Sequence, residues 1–68
     1  MKFPAQAKTL REVGEFLSVS QEDIQRDIDK EEGKDSPNEE KLEALQEDFD
    51  DLGGIIEDLE DITSRLLT

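Results

Sequence analysis

The chain has no cysteine and no histidine. Without cysteine there is no disulfide and no thiolate metal site, and a domain of this size has to find its stability in helix packing or in oligomerisation. Without histidine, the usual general base and the commonest zinc ligand are both missing. No apolar run approaches the length of a membrane span, and Met1 to Ala7 lacks the long apolar centre of a signal peptide. These absences predict a single soluble domain in the cytoplasm, with no catalytic residue, no metal site and no cofactor.

Basic residues are also scarce. Lys and Arg number 8 against 20 Asp and Glu, a net charge of −12 over 68 residues. Residues 1–34 carry six bases and eight acids, a net of −2, whereas residues 35–68 carry two bases and twelve acids, a net of −10. So acidic a surface repels nucleic acid and anionic lipid and favours a basic protein partner. Acids also solubilise helix surfaces or mark a high-salt habitat, and both explanations stay open at this stage.

Three helix starts of one kind follow the short lead-in at residues 1–8, where Phe3-Pro4 argues for extended backbone. Thr9-Leu10-Arg11-Glu12 is a capping box, with a hydroxyl for an N–H of the first turn and a carboxylate reaching back. Ser20-Gln21-Glu22-Asp23 repeats the logic, and Val19 with Ile24 fits a hydrophobic staple. Ser36-Pro37-Asn38-Glu39 adds proline at the first helical position. The spacing therefore predicts helices over about 10–17 and 21–32, a tight turn at Ser18-Val19-Ser20 and a left-handed stop at Gly33. Leu10, Val13, Phe16 and Leu17 form the inward face of the first helix, and Ile24 and Ile28 that of the second. A connection at 34–36 leads to a long third helix over 37–67. The class is all-α.

The segment Thr9 to Ile28 resembles the helix-turn-helix of excisionase, MerR-type and DeoR-type regulators. Gly14 stands where that pattern has a small residue, Val13 and Leu17 flank it, Val19-Ser20 stands at the turn, and Ile24 and Ile28 match the second helix. Gly33-Lys34 is similar to the start of an excisionase wing. The resemblance covers residues 9–34 and implies a DNA-binding regulator or antitoxin, with Gln21, Gln25, Arg26 and Lys30 as the DNA-contacting side chains. Ser18 departs from the family's usual glycine. The six acids among Glu22, Asp23, Asp27, Asp29, Glu31 and Glu32 oppose the phosphate neutralisation on which DNA affinity rests, so direct nucleic-acid binding is the weaker alternative.

In the third helix Leu42, Phe49, Ile56 and Thr63 occupy one position of a seven-residue repeat, and Leu45, Leu52, Leu59 and Leu66 another. That is a coiled-coil seam over about 37 Å. No oppositely charged pairs flank it in a parallel dimer register. Ile55, Ile62 and Leu67 instead widen the apolar face, which predicts a homo-oligomer, with a dimer favoured, or a shared core. Gly53-Gly54 interrupts the run at a cost of about 2 kcal/mol relative to alanine, so the helix either continues there or bends.

The outer positions of this helix are acidic. Eight acids between Glu47 and Asp61 lie about one per 2.6 Å of axis, against one charge per about 1.7 Å in duplex DNA. That density permits a nucleic-acid mimic. Calcium-loop registers starting at Asp27 or Asp48 both fail, on a misplaced glycine and on leucines at ligand places respectively. The resulting expectation is a protein-binding regulator. Asp50, Asp51, Glu57, Asp58 and Asp61 steer a basic partner, itself a candidate nucleic-acid-binding protein, while Phe49, Ile55, Ile56 and Ile62 supply apolar contact.

Overall fold

In a computed structural model, which describes residues 3–68, the chain is a hairpin of two helices of equal length. Helix α1 spans Pro4–Glu32 and α2 spans Glu39–Leu67, 29 residues each. Three contacts along their length fix the antiparallel register. The Phe3 N–H donates to the Leu66 carbonyl at 2.9 Å. The Gln21 side chain donates to the Phe49 carbonyl at 3.0 Å. The Asn38 N–H donates to the Glu31 carboxylate at 3.0 Å. The result is a rod of 56 × 14 × 10 Å with a radius of gyration of 15.8 Å, where a compact chain of this length would have about 11 Å.

Two of the expected helices are one. α1 runs unbroken through Ser18-Val19-Ser20, where a turn was expected, and begins at Pro4 rather than near residue 10. Neither proline nor glycine occurs between Glu15 and Glu32 to stop it. The hydroxyls that look like caps turn back along the helix, Thr9 donating to the Ala5 carbonyl and Ser20 to the Phe16 carbonyl, both at 3.2 Å. That is what a mid-helix Ser or Thr does when no N–H of a first turn is free. The constraint that proline places on its predecessor falls on Phe3 alone, which is non-helical at φ −130°, ψ 68°. Pro4 then sits at a helix start, where its missing N–H is harmless, and Ala5, Gln6, Ala7 and Lys8 are all good helix formers.

The connection differs from expectation in two details. Gly33 closes α1 in the right-handed region at φ −78°, ψ −7°, with its N–H on the Asp29 carbonyl, so the left-handed stop is absent. α2 starts at Glu39, two residues beyond Pro37, because Asn38 is its cap: the side chain accepts the Lys41 N–H at 3.1 Å and the backbone carbonyl accepts the Leu42 N–H. Glu39 and Glu40 in the first turn and Arg65 in the last suit the helix dipole. α2 is a single helix through Gly53-Gly54.

The seam between the helices is narrow. On α2 the less exposed residues are the apolar series Leu42, Leu45, Phe49, Leu52, Ile56, Leu59 and Leu66, with Gly53, and Thr63 is buried. On α1 they include Ala7, Leu10, Gly14, Leu17, Gln21, Ile24, Ile28 and Glu31, in alternating steps of three and four. Val13 and Phe16 lie outside this series and are exposed, Phe16 at 72 %. The expected inward face of α1 is corrected accordingly: once the helix continues past Leu17, its stripe is set by Gly14 and Gln21 rather than by Val13 and Phe16. No described residue with a large side chain is fully buried. Among the described residues no helix is long and apolar enough to cross a membrane.

Candidate protein-interaction site

At the closed end of the hairpin Glu31 organises the connection. Only 2 % of it is exposed. One carboxylate oxygen accepts the Asn38 N–H, and the other takes Lys34 Nζ at 3.0 Å and Lys41 Nζ at 3.3 Å. The Asn38 hydrogen bond chiefly, then Lys34 and Lys41, hold its pKa down at about 2 against an ordinary 4.5, although burial acts the other way. An ionised Glu31 thus ties the last turn of α1 to the first turn of α2.

A second polar joint lies mid-seam. Gln21 reaches across to the Phe49 carbonyl, and a Cβ placed on Gly53 would lie 3.2 Å from the Gln21 Nε2. The absence of a side chain at Gly53 makes room for that amide. Around Gly54 nothing lies within 4 Å of such a Cβ, so no comparable reason for glycine exists there.

The five acids expected to steer a partner, Asp50, Asp51, Glu57, Asp58 and Asp61, are all exposed on α2. Asp50 with Glu57, and Asp51 with Asp58, lie seven residues apart and so share columns along the helix. Asp61 is paired with Arg65 at 2.6 Å, and Asp50 accepts from Gln46 at 3.1 Å; both contacts are exposed and leave the carboxylates open to solvent. The apolar set divides. Ile55 and Ile62 are exposed, whereas Phe49 and Ile56 belong to the seam and are half-buried. Of the four residues expected to supply apolar contact, Phe49 and Ile56 are thus partly covered by the seam.

Of the side chains that the helix-turn-helix resemblance pointed to, Gln21 lies in the seam and donates to the Phe49 carbonyl. Gln25, which donates to Asp29 at 3.0 Å, and Arg26, paired with Asp23 at 2.7 Å, are exposed. Lys30 is exposed in the last turn of α1.

The two flanks of the seam differ. One holds a groove of about 310 Å³, lined by Arg11, Glu15 and Ser18 of α1 and by Glu60 and Ser64 of α2, with Leu10, Ile56 and Leu59 among its floor residues. Val13 and Phe16 of α1 and Ile55 and Ile62 of α2 are exposed and fall on the other by helical spacing. Sequence reasoning missed Glu31 and the outward Val13 and Phe16. The signal was present in two series of seven-residue steps, Leu10, Leu17, Ile24, Glu31 and Ala7, Gly14, Gln21, Ile28, which continue across the supposed turn.

Comparison with protein-family models, curated proteins and solved structures finds no match to this chain. Among the described residues, no group of three or more Asp or Glu is placed to hold a metal ion.

Proposed function

We propose that the chain is a small acidic regulator that docks on a basic protein surface, acting in the cytoplasm as a homo-oligomer, with a dimer favoured. The observation that carries this reading is the outward face of α2, where Asp50, Asp51, Glu57, Asp58 and Asp61 are all exposed along one continuous helix. A rod carrying carboxylates in two clusters, residues 47–51 and 57–61, creates an extended negative field, which steers a cationic partner and sets its orientation. Exposed Ile55 and Ile62 stand on the same helix and add apolar contact. The axial spacing of the acids, about one per 2.6 Å, is close enough to the charge density of duplex DNA for the partner to be a nucleic-acid-binding protein whose groove the helix fills. Nothing in this mechanism needs a cleft, a nucleophile or a bound ion.

The test is parallel affinity capture from cell extract with the wild type and a variant in which the five acids become Asn or Gln. The wild type should retain a basic protein that free duplex DNA competes away. The variant should stay helical by circular dichroism and retain none. Equal capture by both chains would sink the proposal. The DNA-binding alternative predicts a gel shift with random duplex at low salt, whereas an acidic docking helix predicts no shift.

A further inference from the structure

Which side of the rod can meet another copy follows from the two flanks. The groove residues Arg11, Glu15 and Ser18 of α1 share a side with Glu60 and Ser64 of α2. Val13 and Phe16, and likewise Ile55 and Ile62, lie across the seam from those columns at helical spacing, so all four share the opposite side, and all four are exposed. The antiparallel register brings them together in the half of the rod away from the connection.

In the half of the rod away from the connection that side carries little charge. Along α1 its columns there read Gln6, Thr9, Val13, Phe16 and Ser20, all uncharged, and they continue towards the connection as Asp23 and Asp27. Along α2 they read Ile55, Asp58, Ile62 and Arg65, one acid and one base, and continue towards the connection as Asp48 and Asp51. Elsewhere on α2 acids dominate, and two chains of charge −12 could not approach closely there.

Surface area points to the occupant. The chain exposes 5138 Å², whereas a compact monomer of 7.7 kDa would expose about 4,300 Å². The excess, about 800 Å², comes from the rod shape of the whole chain and is of the size that each partner of a standard interface buries. A basic protein is drawn instead to the acid columns, and an anionic membrane is repelled by them.

We propose that the face formed by Val13, Phe16, Ile55 and Ile62 binds a second copy of this chain about a two-fold axis, giving a four-helix assembly. This rests on the self-association proposed above and names its surface. A two-fold contact is self-complementary, so each Phe16 meets the partner's apolar face. With that axis perpendicular to the rod, the two connections point in opposite directions, which keeps the acid-rich halves near the connections apart. Two packed layers also give the half-buried seam residues the cover that one helix pair lacks.

Sedimentation equilibrium from micromolar to millimolar chain tests this. The wild type should reach the mass of two chains, and added salt should strengthen the association by screening like charge. Phe16→Glu should stay at one chain, and the uncharged Ile55→Gln should weaken association at least tenfold. Ser64→Glu introduces the same charge at an exposed residue on the groove flank, and should still form two chains. Circular dichroism on each sample shows whether helix is retained. If Phe16→Glu associates as the wild type does, or Ser64→Glu disrupts equally, the named face is wrong although self-association stands. A wild type that remains one chain throughout, or that grows beyond two, overturns the two-fold assembly, and the first of these outcomes also removes the self-association on which it rests.

Discussion

Replacing Glu31 with Gln removes the charge on which the Asn38 N–H, Lys34 and Lys41 converge. The folded-state pKa of Glu31 is depressed to about 2 from 4.5, so its contribution is complete above the ordinary value and is lost as pH falls through the folded one. Thermal unfolding of wild type and Glu31→Gln should therefore differ at neutral pH, with the variant melting lower, and the gap should close between pH 4.5 and 2. Acidification also relieves repulsion among the other acids in both chains, which is why the difference between them is the readout. The adjacent glycines make a second residue-scale prediction. Gly54→Ala meets open space and should stabilise by about 0.5–1 kcal/mol, a rise of several degrees in Tm. Gly53→Ala gains the same helix propensity but presses on the Gln21 amide, so it should gain less. In a Gln21→Ala background the two substitutions should become equivalent, which a double-mutant cycle on chemical denaturation measures.

At the scale of the element, the claim with the clearest consequence is that α1 is one helix. Val19→Pro would remove a hydrogen bond and clash with the preceding turn of an uninterrupted helix, at about 3 kcal/mol or more. Circular dichroism and urea denaturation should show a large loss of helicity and stability, whereas a turn at Ser18-Val19-Ser20 would accept proline with little change. The all-α class and the apolar series from Leu42 to Leu66 are plain in the sequence, because every position but Thr63 in that series is apolar. The matching series of α1 places Gly14, Gln21 and Glu31 among its apolar members, so its period is invisible to a search for apolar residues. Thr9 and Ser20 then imitate caps, since a hydroxyl that can serve a first turn can equally donate to the carbonyl four residues back. Val13 and Phe16 completed a false face of the right spacing. The outer acids of α2 were legible, because charged residues between seam positions have nowhere to go but solvent. The partition of Phe49 and Ile56 from Ile55 and Ile62 needed the position of α1.

For the whole molecule, two proposed associations make opposite demands on salt. Self-association brings like charges together and should strengthen as ionic strength rises, while docking on a basic partner should weaken. The two proposed surfaces overlap at Ile55, Asp58 and Ile62, so the two associations compete for that strip of α2, while Val13 and Phe16 serve self-association alone and the other four steering acids serve docking alone. The thin seam, without a large side chain fully buried among the described residues, is one ground for the proposed second layer. The most direct test of the acidic-docking account is the salt dependence of affinity for the captured basic protein, measured by isothermal titration for the wild type and for the five-acid variant. The account predicts a wild-type Kd that rises steeply with salt and a variant that binds at least tenfold more weakly with a shallow slope. A wild-type Kd indifferent to salt and unchanged by neutralising Asp50, Asp51, Glu57, Asp58 and Asp61 would contradict it.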